Sequence, residues 1–384
     1  MSKPLALVFK GGSVKNLSYT GVIRYLQEND MLTNVKILAG TSGGAVTCMM
    51  IALGYTGEEM LDDFANTDVD TIFGGNVGSI KSLPKIVYNS WRQYGMVDGT
   101  GIDKKLMEII AKKIPSNPKI TLKDFYNSTG KTIICVTACL NTHKAEYLSH
   151  LTMPDMPLYL AIRLSMNLPP VFPPVIIRVL RKGIKFVKEN DDSYINIPDG
   201  VELGVKNITE TGEEVSEAWF IDTDPIPVCK FSKPTDLLPE IVEFEKWYVD
   251  GGLIDNYPIT YVENLLKNEV TSPLQILGFD VDSSEPNNYY TINKKWPWDY
   301  FKNMFYAQFT ELDRRTRECC VSTNLSTTIP INTAGIDFYE FKLTTGQLQQ
   351  LYNDGYKSIK SFLNTSDSNV DTETDSICFN INYI

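Results

Sequence analysis

Short apolar, β-branched runs alternate along the chain with stretches whose apolar residues recur at helical spacing. This is the pattern of an α/β protein with a largely parallel sheet. The runs Leu5–Phe9, Lys36–Ala39, Lys131–Leu140, Trp247–Val249 and Leu274–Asp280 predict strands. Helical periodicity covers Leu17–Glu28, Gly43–Leu53, Leu158–Met166, Pro258–Lys267 and Thr345–Leu363. There is no internal repeat. Thr365–Asp375 is rich in Ser, Thr and Asp and is expected to be mobile, with the apolar end Ile377–Ile384 able to dock back. No run approaches the ~18 apolar residues of a bilayer span. Met1–Lys10 lacks a basic region followed by a small-residue cleavage site, so the sequence reads as cytoplasmic, with secretion without a cleaved signal peptide left as the alternative.

At 384 residues the chain fits one large α/β domain or two moderate ones. Hydrophobic residues make up 43% and charged ones 22%, enough for a sizeable core, which excludes fibrous and wholly disordered classes. Lys and Arg number 36 against 47 Asp and Glu, a net charge of −11 that phosphate backbones would repel, so nucleic acid is not an expected partner. Contact with anionic lipid would need a local basic patch. Ile176–Lys188 offers one, with Arg178, Arg181, Lys182, Lys185 and Lys188 and no acidic residue, and its Gly183 break suggests a hairpin. Near a membrane surface each basic residue contributes ~1 kcal/mol. A solvated hairpin beside Glu189, Asp191 and Asp192 is the competing reading. Trp296-Pro297-Trp298-Asp299-Tyr300-Phe301 with Phe305, Tyr306 and Phe309 could sit at headgroup level, but aromatics at helical spacing more often form core. Seven cysteines with no CxxC pair read as buried free thiols, Cys135 and Cys139 sharing one face of a strand. Histidines number two, His143 and His150.

Gly40-Thr41-Ser42-Gly43-Gly44 fits G-x-S-x-G between a short apolar strand and a helical run. A sharp strand-to-helix turn there would force Ser42 into a strained conformation, lift its Oγ clear of the sheet, and aim the N-terminus of the next helix at a developing oxyanion. A Gly-Ser turn without chemistry is the plain alternative. Lys10-Gly11-Gly12-Ser13-Val14-Lys15-Asn16 follows the first strand, where main-chain N–H groups can cradle an anion. It has neither phosphate-loop spacing, so an oxyanion hole serving the adjacent serine is the more economical reading. A serine nucleophile needs a base. Both histidines precede residue 151, whereas the α/β-hydrolase order expects the histidine last. A carboxylate is the natural substitute, and Asp250-Gly251-Gly252 ends an apolar run on a tight turn that could hold Asp250 towards Ser42. An ordinary Asp-Gly turn has the same sequence. Asp280-Val281-Asp282 could be taken for a calcium pair, but no EF-hand loop surrounds it, and neither metal nor other cofactor is expected.

In this order, the glycine loop Gly11–Asn16, the elbow Gly40–Gly44, Ala161-Ile162-Arg163-Leu164-Ser165-Met166-Asn167-Leu168-Pro169-Pro170-Val171-Phe172-Pro173-Pro174, and Asp250-Gly251-Gly252-Leu253-Ile254-Asp255-Asn256-Tyr257-Pro258 resemble the patatin-like phospholipases. The C-terminal Gly355–Lys360 resembles that family's closing helix. The resemblance implies a three-layer α/β fold, with a central, mostly parallel sheet flanked by helices and an inserted segment after the Pro-rich run. Residues 1–363 would form the domain, with the insertion at about 176–246 and a mobile tail at 364–384. It implies a metal-independent lipid acyl hydrolase acting through an acyl-enzyme, with Ser42 as nucleophile, Asp250 as proton acceptor, and Gly11, Gly12, Ser13, Lys15 and Gly43 around the oxyanion. Gly40, Gly44, Gly251 and Gly252 shape the two turns. It also implies a membrane-lipid substrate, peripheral membrane contact and, for several members, a protein activator. A Ser/His/Asp esterase using His143 or His150, and a catalytically degenerate binding module, remain open alternatives. The loop departs from the family's G-G-G-x-[KR]-G at Ser13 and Asn16, which stand where the third and last glycines belong. Activity is still expected, because the donors are backbone N–H groups and Asn tolerates left-handed backbone.

Overall fold

The first apolar run forms strand β1 (Ala6–Phe9), and its alternation assigns both faces of a sheet. Leu7 and Phe9 join one buried cluster, Ala6 and Val8 the other, and all four are fully buried. A strand apolar on both sides must be covered on both sides. The structure, a computed structural model, describes residues 3–67, 94–95, 99–169, 171–182, 203–210, 213–221, 241–282, 297–333, 336, 340 and 342–368.

After β1 a 3-10 turn (Ser13–Leu17) leads to α1 (Ser18–Glu28), β2 (Ile37–Thr41), α2 (Gly43–Ala52), α3 (Gly57–Ala65), α4 (Thr100–Lys113), α5 (Leu122–Thr129), β3 (Thr132–Cys139), β4 (Lys144–Leu148) and α6 (Leu158–Ser165). Then come β5 (Val175–Lys182), β6 (Leu203–Glu210), β7 (Glu213–Ile221), β8 (Ile241–Asp250), α7 (Ile259–Leu266), β9 (Ile276–Asp282), α8 (Pro297–Thr323), β10 (Thr327–Asn332) and α9 (Thr345–Ser368). One sheet runs in the order β10-β9-β1-β2-β3-β8-β5-β7-β6, with β4 also paired to β3. β10, β9, β1, β2 and β3 are mutually parallel, and every pairing beyond β3 is antiparallel. Side chains of α1, α2, α6 and α9 pack on one face, those of α7 and Cys320 of α8 on the other, which completes three layers.

The register at the parallel-to-antiparallel seam sets the site. Thr41, the last residue of β2, pairs with Val136 of β3, and the next β3 residue, Thr137, pairs with Asp250. β8 therefore runs in from beyond the carboxyl ends of the parallel strands and stops at the level of Ser42. Thr137 is fully buried and donates its hydroxyl to the carbonyls of Val249 (2.9 Å) and Leu164 (3.1 Å), fixing β8 and α6 to β3.

Three expectations change. β8 is much longer than the expected Trp247–Val249, because its first residues pair with β5 rather than with the parallel core. The hairpin expected across Gly183 is not made by β5, whose two edges are taken by β7 and β8; residues 183–188 lie outside the described residues. The final helix continues past its expected end at Leu363 to Ser368, and residues 369–384, with the apolar terminus, lie outside the described residues. Trp296 also lies outside them, while Trp298–Phe309 falls within α8. Among the described residues no helix is long and apolar enough to cross a membrane.

Candidate active site

β2 ends at Thr41 and α2 begins at Gly43, leaving Ser42 alone in the turn at φ 54°, ψ −124°. For a non-glycine residue this left-handed backbone costs about 1–3 kcal/mol and persists only where neighbours impose it. Here they do. The Ser42 N–H donates to Ser165 Oγ (2.9 Å), and that hydroxyl donates to the Val136 carbonyl (2.5 Å), so α6 and β3 clamp the turn. A β-carbon on Gly40 would come 2.5 Å from the Gly44 carbonyl, and one on Gly44 would overlap the Phe9 carbonyl. The small residues of the motif are thus required by the close approach of β1, β2 and α2. Ser42 is half-buried, so its side chain meets solvent at the mouth of the turn.

Behind it lies Asp250, 2% exposed. Its carboxylate accepts a hydrogen bond from the Gly252 N–H (2.8 Å). Burial pushes the carboxyl from 3.8 up to about 6, opposed by the Gly252 N–H and the neighbouring Ser42 hydroxyl, which favour the ionised form. A carboxylate so placed is a stronger base than a solvated one and still ionised at neutral pH. Gly251 and Gly252 are both buried, and a β-carbon on Gly251 would overlap the Val136 carbonyl.

The glycine loop lies beside this pair, with a β-carbon built on Gly11 coming within 3.3 Å of Ser42 Cβ. Its details revise two expectations. The Gly11 N–H is already occupied, donating to the Asn256 carbonyl (3.0 Å), while Asn256 Nδ2 donates back to the Gly11 carbonyl (3.0 Å). Gly11 is therefore a strut, whereas the amides of Gly12, Ser13 and Gly43 donate no hydrogen bond among the described residues; as the first residue of α2, Gly43 has no acceptor within its own helix. The residue with left-handed backbone is Ser13 (φ 52°), whereas Asn16 sits inside the 3-10 turn and contributes its side chain instead. Lys15 is buried in the same turn.

The supports of the site carry no motif of their own. Lys10 and Asp280 are both buried and ion-paired at 2.7 Å, and Arg317 meets the other Asp280 oxygen at 2.6 Å. This anchors the carboxyl ends of β1 and β9 beneath the loop, and it engages the Asp280 carboxylate that its spacing from Asp282 could suggest for calcium. Thr41 Oγ1 donates to the Asp255 carbonyl (3.0 Å), and Tyr147 donates to Asp255 Oδ2 (2.7 Å), tying the base-bearing segment to β2 and β4. Burial raises the Asp255 carboxyl, and the Tyr147 hydroxyl offsets part of that rise. The histidines lie apart from this arrangement. His143 is exposed in the β3–β4 turn at φ 55°, and the His150 ring stacks on Tyr126 at 3.8 Å.

Residues 7–195 match the model of the patatin-like phospholipase family. That stretch belongs to the family. Among proteins similar in sequence to this patatin-like chain are uncharacterized protein R571 of Acanthamoeba polyphaga mimivirus, 26% identical over 44% of the chain and 54% of R571, and probable lipid hydrolase 463L of Invertebrate iridescent virus 6, 23% identical over 56% of the chain and 68% of 463L. Triacylglycerol lipase 5 of Saccharomyces cerevisiae is 28% identical over 44% of the chain but only 22% of the lipase. The match thus spans about half of R571 and about a fifth of the yeast enzyme. In fold, VipD from Legionella pneumophila superposes with a TM-score of 0.50 at 15% identity, covering 95% of the chain and 67% of VipD. The patatin-like match includes the glycine loop and the elbow and stops before Asp250, so it bears on the base only through the fold.

Proposed function

We propose that this chain hydrolyses acyl esters of membrane lipids or related neutral lipids through a Ser42/Asp250 dyad. The observation that carries this reading is a half-buried serine on a strained elbow beside a buried carboxylate raised to about 6. Asp250 takes the Ser42 proton as Oγ attacks the ester carbonyl, forming a C–O bond and a tetrahedral oxyanion. The amides of Gly12, Ser13 and Gly43 and the N-terminus of α2 stabilise that charge. The oxyanion collapses with loss of the alcohol, which receives the proton from Asp250, leaving an acyl-Ser42. Water, deprotonated by Asp250, attacks the acyl carbonyl; the second oxyanion collapses with loss of Ser42 Oγ, which regains the proton from Asp250, and the fatty acid leaves. No metal enters any step, so chelation by EDTA is expected to leave turnover unchanged. Residues 1–363 serve as the catalytic domain in this reading, with 176–246 as its insertion, peripheral membrane contact bringing it to substrate, and any protein activator acting on that same domain.

The test is fatty-acid release from a panel of phospholipids and acylglycerols. Ser42→Ala is expected to lower release by on the order of 10⁴-fold or more. A variant with both His143→Gln and His150→Gln is expected to stay near wild-type turnover, since Asp250 serves as the base in this reading, His150 stacks on Tyr126 and His143 is exposed in a turn. Loss of activity in the histidine variant would favour a Ser/His/Asp esterase. Unchanged release in Ser42→Ala would remove the dyad altogether.

A further inference from the structure

Asn16, at the position of the family's last loop glycine, is 5% exposed. Its Nδ2 donates to the Lys10 carbonyl (3.2 Å), while its Oδ1 is buried with no hydrogen-bond partner among the described residues. The amide lies between two stretches of backbone. A β-carbon built on Gly43 would come 2.6 Å from Asn16 Nδ2 and 3.2 Å from its Cγ, and one built on Gly12 would overlap Oδ1. The side chain therefore occupies the room that two β-carbons would need, between the loop after β1 and the first turn of α2. An apolar spacer would fill that gap without the ~1–3 kcal/mol cost of a buried acceptor left unpaired. Nor does the backbone call for asparagine, since the left-handed residue is Ser13.

We propose that Asn16 is a positioning residue for the oxyanion site. Its amide holds the Gly12 loop and the Gly43 end of α2 at the separation that lets N–H groups from both reach one developing oxyanion. This rests on the Ser42 chemistry proposed above. It explains why Gly12 and Gly43 lack side chains although neither has a positive φ: each is the wall against which the wedge seats.

The experiment uses the full chain and two rates. The first is phosphonylation of Ser42 by a fluorophosphonate, whose phosphoryl oxygen takes the oxyanion position. The second is hydrolysis of a soluble aryl ester of a medium-chain fatty acid. Asn16→Ala is expected to slow phosphonylation and lower kcat by roughly 10- to 100-fold, with KM within about twofold, because the contact acts on the transition state rather than on bound substrate. Asn16→Asp keeps the shape but puts a carboxylate beside the oxyanion. It is expected to be slower still and to add a descending alkaline limb to the pH–kcat profile, which a purely structural residue would not produce. Melting temperatures are read alongside, and if the alanine variant does not fold, Asn16→Ser replaces it with an intermediate rate expected. Folded Asn16→Ala or Asn16→Ser together with Asn16→Asp reacting within about twofold of wild type, or losing KM alone, would overturn the proposal. A wild type whose Ser42 is not labelled would instead end the reading beneath it, and this one with it.

Discussion

Asp250→Asn is expected to yield a protein that is more stable than the wild type at neutral pH and almost without turnover. The two effects have one cause. Burial raises the Asp250 carboxyl from 3.8 to about 6, so the folded state binds this proton more tightly than the unfolded chain does. The contribution of the group to stability is therefore fully present below about pH 3.8 and is lost as the pH rises through about 6. Above that, the fold carries an ionised, buried carboxylate at a cost of up to roughly 3 kcal/mol, since a tenfold change in proton affinity is worth about 1.4 kcal/mol. An asparagine amide in its place would remove that charge and could still accept from the Gly252 N–H. Urea unfolding should show a gain at pH 8 that shrinks towards pH 4. The same variant cannot take the Ser42 proton, and kcat should fall by on the order of 10⁴-fold. In the wild type, kcat/KM should rise with pH through about 6 and then level off, since the ionised form is the base. A stability loss at both pH values, or normal turnover, would refute the assignment.

The second large effect is expected far from the chemistry. Helices α1 and α9 cross with Gly21 and Gly355 at the contact. A β-carbon on Gly21 would overlap the Tyr352 carbonyl, and one on Gly355 would overlap the Ser18 carbonyl. Both obstacles are backbone, so no rotamer change can relieve them. Flanking hydrogen bonds, Arg24 to Tyr352 (2.7 Å) and Tyr356 to Glu28 (2.7 Å), hold the helices at this distance. Gly21→Ala and Gly355→Ala should each cost about 3 kcal/mol or more in urea unfolding, at or above the ~1–3 kcal/mol usual for overpacking. The double variant should cost less than the sum, because once the helices separate for one methyl the other fits. A change below about 0.5 kcal/mol in either single variant would show that the crossing tolerates a methyl group after all.

Both halves of the proposed dyad were legible in the sequence because each is marked by glycines that the chain's close approaches demand, at 40, 43 and 44 and at 251. The parallel strands were legible because strands covered on two faces read as unbroken apolar runs, as Ala6–Phe9 does. The antiparallel extension was not. Strand β6 carries no such unbroken run and β7 only at its end, Ala218–Ile221, and the strand that ties them to the rest of the sheet, β5, lies well before them in the chain. Two short helices left signals that periodicity alone passes over: the Thr56–Glu59 capping box that opens α3, and the left-handed Gly130 that ends α5. Ser165, Asn256 and Lys10 were hidden for another reason. Each acts through a partner far along the chain, Ser42, Gly11 and Asp280 respectively, and no local pattern encodes such pairs.

The seam at β3 gives the site an order of assembly. The Ser42 turn, the glycine loop and the parallel strands β1 to β3 come from the first part of the chain, whereas the proposed base, Asp250, arrives on a strand made more than a hundred residues after β3. Three ladder pairs, from Thr137–Asp250 to Cys139–Tyr248, join that strand to β3, with the Thr137 hydroxyl bonded to the Val249 carbonyl beside them. Closing so long a loop is slow and entropically costly compared with local helix formation. A chain still emerging from the ribosome would therefore carry a shaped but unpowered serine until β8 docks, and a fluctuation that frees those three pairs would switch the chemistry off while the parallel core stays folded.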